Sequence, residues 1–162
     1  MIRAGGSLVA RKPIPTGDHV MRFVPKNKQQ RDPDTDAFQG LTAAGFALRA
    51  SDKGGLSVTW TEFFGDSSPA NIRAGAMAYR NSLESKRLGG QGLFAVGRAQ
   101  VILSTASDYR KRVRIVHAPV AGNDGHAEIR HFTDDDIELL DCLAREVFNE
   151  VHFVRDLELP DL

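Results

Sequence analysis

Three segments of the chain set a histidine beside an arginine: His19 with Arg22, His117 with Arg114, and His126 with Arg130 and His131. Imidazole exchanges protons near neutral pH, and a guanidinium holds phosphate or carboxylate through paired N–H donors. If His19 and His126 met at one rim, they would supply an acid and a base. Arg22 would clamp an anion, and Glu62 would orient one of the rings. The competing arrangement leaves the histidines apart, each satisfied by a backbone carbonyl or by solvent, and without geometry it is the commoner one. Metal chemistry has less support. HExxH and CxxC spacings are absent, and His126 and His131 with Asp124 and Glu128 form only a loose cluster, so neither a metal nor another cofactor is expected.

Other residues with chemical potential have plainer readings. Gly89-Gly90-Gln91-Gly92 lacks the GK[ST] ending of a phosphate loop and follows a predicted helix instead of opening one, so it reads as a helix stop. Arg110, Lys111, Arg112 and Arg114 near Tyr109 make the best candidate contact for nucleic acid, although such a run is more often a solvated turn. Trp60, the only tryptophan, could stack on a base or sugar with Ser57 beside it; on an apolar strand face it is expected in the core. Cys142, the single cysteine, sits among Leu139, Leu140 and Leu143 and reads as an inert buried thiol.

The elements that must position these residues follow from periodicity. Leu56, Val58 and Trp60 alternate with Ser57, Thr59 and Thr61, which is a strand. With the extended segment at residues 46–50 and the turn-forming Ser51-Asp52-Lys53-Gly54-Gly55, residues 46–63 are expected to form a β-hairpin. Residues 18–25 read as a strand with His19, Met21 and Phe23 on one face and Val20, Arg22 and Val24 on the other. Apolar residues on both faces place it centrally, where Arg22 would need a partner. Residues 26–40 read as a long loop. A helix is predicted from Pro69, with Ser68 as its cap, to about Lys86, with Ile72, Ala76, Tyr79 and Leu83 on one face. Strands are predicted at residues 93–96, 113–119 and 126–132, and residues 98–112 resist assignment. A last helix, capped by Thr133, carries an apolar stripe from Ile137 to Val151.

Together these predict one α+β domain over residues 18–153, a mostly antiparallel sheet of four to six strands with two main helices packed against it. Residues 1–17 are expected as an N-terminal arm and 154–162 as a C-terminal tail with little to hold it. At 162 residues the chain can bury a core without staples. One cysteine excludes an internal disulfide and suggests a reducing, cytoplasmic setting; no run of about 18 apolar residues suggests a membrane span. The zero net charge conceals a split: residues 1–69 carry +2, residues 70–119 carry +7, and residues 120–162 carry −9. The plainer explanation is that the basic middle and the acidic end face each other in the fold.

Four fragments, Asp18-His19-Val20-x-Arg22-Phe23, Phe46-x-Leu48-Arg49, Gly55-Leu56-Ser57-Val58-x-Trp60-x-Glu62-Phe63 and Gly125-His126-Ala127-x-Ile129, together resemble a pattern of small bacterial proteins to which no activity attaches. The resemblance groups His19, Arg22, Ser57, Trp60, Glu62 and His126. More distantly, that polar set is similar to one used by small transferase folds to handle a dinucleotide. Two functions are therefore expected in competition. One is a non-catalytic interaction protein with a protein partner or a second copy of itself. The other is a small enzyme acting on a nucleotide, RNA or another phosphorylated ligand, with His19, Arg22, Glu62 and His126 as its catalytic set.

Overall fold

The structure, a computed structural model, describes residues 12–52 and 54–161. The six strands of the main sheet are β1 (His19–Val24), β4 (Leu56–Trp60), β5 (Leu93–Arg98), β6 (Arg114–His117), β7 (His126–Arg130) and β8 (Glu150–Phe153), in the order β6-β7-β4-β1-β5-β8 with every neighbouring pair antiparallel. A two-stranded ribbon, β2 (Gln29–Arg31) with β3 (Phe38–Leu41), stands apart from it. The central position of β1 follows from its two apolar faces, which only a strand covered on both sides can bury.

Period-two alternation splits the core into two layers. On one face Val20, Val24, Leu56, Val58, Leu93 and Ala95 pack under α2 (Ala99–Asp108) and α3 (Ile137–Cys142), which supply Ile102, Leu139 and Leu140. On the other, Met21, Phe94 and Val96 pack under α1 (Ala70–Ser82), which supplies Ile72 and Ala76. The result is a single α+β unit built on an antiparallel sheet, as expected, but with three helices instead of two.

Several expectations fail for physical reasons. Residues 46–63 are not a hairpin. Phe46 ends a short 3-10 turn (Ala43–Phe46), residues 47–52 carry no strand, and β4 pairs with β1 and β7. Long-range pairing of a strong strand has overridden the local turn signal. Residues 98–112 resolve into α2, where Val101, Ile102 and Leu103 take helical spacing and only Ile102 is fully buried. The last helix is shorter than predicted: a π turn (Leu143–Val147) ends it, and the stripe's last residue, Val151, belongs to β8. Asp136, not Thr133, caps its start by accepting from the Leu139 amide at 3.2 Å, and Ile137 points to solvent. The expected loop at 26–40 contains the β2–β3 ribbon.

Described residues on both sides of the expected domain lie against it. Of the N-terminal arm, residues 1–11 lie outside the described residues, while residues 12–14 run beside the edge strand β6. There the Ile14 amide donates to the Ile115 carbonyl at 3.0 Å, and Lys12 accepts from the His117 amide at 2.9 Å. An edge strand covered in this way presents fewer unpaired backbone groups. At the other end, Val154 and Leu157 are buried beside α1, and Arg73 donates to the carbonyls of Leu157 and Glu158. The segment expected as a loose tail is held by its own apolar residues.

Candidate functional site

His19 and Glu62 are brought together by sheet register. Val20 pairs with Trp60, so the next residues outward, His19 and Thr61, lie opposite one another, and the 3-10 turn Thr61–Phe64 folds Glu62 back over the end of β1. Glu62 then stands where a backbone carbonyl would have continued the ladder. Its Oε1 accepts from the His19 amide at 2.7 Å, and its Oε2 meets His19 Nδ1 at 2.7 Å. The Thr61 hydroxyl lies 2.7 Å from Oε1 and 3.2 Å from the His19 carbonyl, and it donates to the nearer oxygen.

These contacts fix the chemistry of the pair. Burial acts to raise the Glu62 pKa, but the Thr61 hydroxyl and the two N–H donors of His19 outweigh it, and the carboxyl lies below its ordinary value. An ionised carboxylate only accepts, so Nδ1 of a neutral His19 carries the proton and Nε2 keeps its lone pair. The His19 side chain is 40% exposed and lines a cleft.

Around the pair lies a cleft of about 150 Å³ shared by Asp66, Ser68, Asn71, Ile72 and Glu150. Asn71, in the first turn of α1, is only 4% exposed. Its Nδ2 donates to the Gly65 carbonyl at 2.9 Å, while its buried Oδ1 has no partner. An unmatched buried acceptor is uncommon and is destabilising unless something donates to it. With Glu62, Asp66 and Glu150 the cleft is acidic. Among the described residues, no group of three or more His, Cys, Asp and Glu side chains is arranged to hold a metal ion.

Arg22, expected as an anion clamp, is a structural plug. The β1–β4 ladder stops after Met21, and the guanidinium, 1% exposed, enters the opened seam. Nε donates to the Gly45 carbonyl at 2.8 Å, Nη1 to that of Ser57 at 3.0 Å and Nη2 to that of Ala47 at 3.1 Å; Asp52 lies 3.4 Å from Nη2. Desolvation, with Arg49 alongside, lowers the Arg22 pKa to about 10 against the opposing pull of Asp52, so the group is still charged at neutral pH. Burial alone would raise the Asp52 pKa. The amides of Arg49 and Ser57 and the charge of Arg22 reverse that, leaving it below its ordinary value. Ser57 serves this plug through its backbone and is no ligand contact within it.

His126 does not join the His19 cleft: its Nδ1 donates to the Ala118 carbonyl at 2.7 Å, as expected of a histidine satisfied by backbone. Trp60 is half-buried at the sheet rim. Its Nε1 donates to Asp18 at 2.9 Å, and its ring packs beside His117 and Phe63 at centroid distances of 5.3 and 5.7 Å. Arg110, Arg112 and Arg114 are exposed, but Lys111 between them is bound to Asp135 at 3.1 Å, and Asp136 and Glu138 line the same depression. Burial first, then the Glu146 carboxylate, pushes the Cys142 thiol above its ordinary value. Of the expected catalytic set, then, the fold joins His19 to Glu62 and separates Arg22 and His126 from them. Asn71 read only as a residue of the helix predicted from Pro69, and Glu150 as the end of the last helix, so neither stood out as a site residue.

Fold and site define an α+β protein with a carboxylate-oriented histidine at the mouth of a small acidic cleft. Compared with family models, curated proteins and solved structures, the chain matches none. None of its described helices is long and apolar enough to cross a membrane.

Proposed function

We propose that this protein is a small enzyme in which His19 transfers a proton through Nε2 and Glu62 positions the ring. The observation that carries the reading is the 2.7 Å contact between Nδ1 and Glu62 Oε2 beside the unmatched Oδ1 of Asn71. A carboxylate on one ring nitrogen selects the tautomer and stabilises the imidazolium formed when the other nitrogen takes a proton. The acidic lining favours a substrate group that donates hydrogen bonds, neutral or cationic, with its N–H or O–H directed at Asn71. With Arg22 committed to the sheet, the cleft has no cation for a phosphate, so this reading drops the phosphorylated ligand from this site.

The test is a screen of the purified chain against small esters, amides and nucleosides, with turnover compared in His19→Gln and Glu62→Gln. Loss of turnover by about 10²–10⁴-fold in His19→Gln, with unfolding temperature retained, is the expected outcome. Turnover indifferent to His19→Gln would overturn it.

A second reading, partner binding without catalysis, is favoured by one observation. Phe63 is 41% exposed although it packs on Trp60, Phe64 and His117, and Val120 is equally exposed. Aromatic side chains anchor protein interfaces. Sedimentation of Phe63→Ser against the parent chain tests it: a parent that associates and a variant that does not would support partner binding.

A further inference from the structure

At the other end of α1, about 14 Å along the helix axis from Asn71 at 1.5 Å per residue, lies a groove of about 700 Å³. Arg80, Lys86, Arg87 and Arg155 line it, with Glu158 and Asp161 as its acidic members. Arg80 is 8% exposed, its Nε is buried without a hydrogen-bond partner, and among the described residues it forms no ion pair. A buried guanidinium nitrogen without an acceptor is costly, and a chain that needed only to fill this space would do better with leucine or methionine. Lys86 is steadied by donating to the Asn81 carbonyl at 2.7 Å, and the Arg155 guanidinium lies 4.6 Å over the Phe153 ring.

A second, more apolar cavity of about 340 Å³ shares Arg87 and Leu88 with the first. Phe23, Pro25 and Leu83 line it together with residues 89–92. Those residues, Gly89-Gly90-Gln91-Gly92, do more than stop a helix. Gly90 and Gly92 accept from the amides of Arg155 and Val154 at 3.2 and 2.9 Å, tying the run to the wall of the cationic groove. A Cβ on Gly92 would stand 2.6 Å from the Phe23 ring, so only glycine lets the backbone pass this close to an aromatic face.

We propose that the two cavities form one binding site for a nucleoside phosphate, with phosphate oxygens on Arg80 and Arg87 and the planar base in the slot beside Phe23. Guanidinium groups suit phosphate because they offer parallel N–H donors. Both volumes lie in the range of small-molecule sites, about 300–1,000 Å³. The site is separate from the His19 cleft, and neither reading depends on the other.

Isothermal titration of the full chain with ADP, adenosine and pyrophosphate tests this. ADP is expected to bind more tightly than either part. Arg80→Leu should weaken ADP at least tenfold, and the exposed Arg87→Ala should weaken it several-fold. Without ligand, Arg80→Leu should unfold at the same or a higher temperature, because a buried N–H without an acceptor has been removed. No ADP binding at millimolar concentration, pyrophosphate binding as tightly as ADP, or an Arg80→Leu chain that melts lower and binds ADP unchanged would each overturn the proposal.

Discussion

Two arginines in this chain show how context decides the role of one residue type. Arg22 has each of its three guanidinium nitrogens bonded to a carbonyl, with Asp52 beside Nη2, whereas Arg80 has a buried Nε with no acceptor. Removing one member of a buried charge pair strands the other, so Arg22→Met should destabilise the fold by roughly 3–5 kcal/mol, measurable by urea unfolding. The carboxylates also predict an acid response. Asp52 and Glu62 have folded pKa values below the ordinary 3.8 and 4.5. Their contribution is therefore complete above those ordinary values and is lost as pH falls through the lower folded ones. Unfolding temperature measured against pH should drop across that acid range, and Asp52→Asn with Glu62→Gln should flatten the drop while lowering the plateau. At this scale the sequence was partly legible. That Arg22 would need a partner follows from its place on a two-sided apolar strand. That the partners are backbone carbonyls does not, because those of Gly45, Ala47 and Ser57 lie 23 to 35 residues away and carry no side-chain signal.

Elements read well where their periodicity was unambiguous. The strands β1, β5, β6 and β7 fall where alternation put them, and α1 buries Ile72 and Ala76 as its spacing predicts, but it ends at Ser82, short of the predicted Lys86, with Leu83 outside it and Arg80 buried. The failures occur where two periods coincide. Val101, Ile102 and Leu103 fit a strand as easily as the helix they form, and Val151 fits both the helical stripe and the alternation of β8. Register then depends on a few contacts that can be broken singly. Gly55, at φ 151°, lies against the Ile129 carbonyl where β4 meets β7, and a Cβ there would collide with that backbone. Gly55→Ala should cost about 1–3 kcal/mol in denaturant unfolding and weaken amide protection in β7. Phe148 is fully buried, 4.8 Å from the Phe46 ring between centroids, where the π turn closes the helical layer. Phe148→Ala should cost roughly 3–5 kcal/mol.

Over the whole molecule, the +7 and −9 segments of the charge split meet, among the described residues, in one ion pair, Lys111 on Asp135. Stability is unevenly distributed. Strands β1, β4 and β5 are covered on both faces, whereas the β2–β3 ribbon buries only Leu41. Native-state hydrogen exchange should therefore show β1 and β5 opening only with global unfolding and the ribbon opening well below it. The two candidate sites lie at opposite ends of α1, an acidic cleft with its histidine at one end and a cationic groove at the other. For proton transfer by His19 the decisive measurement is long-range ¹H–¹⁵N correlation of its ring, assigned by its loss in His19→Gln. The expected spectrum shows a proton on Nδ1 held by Glu62 and an unprotonated Nε2 in the neutral ring, with Glu62→Gln disturbing the pattern. A neutral ring protonated on Nε2 would leave the lone pair facing Glu62 and contradict the role given to His19.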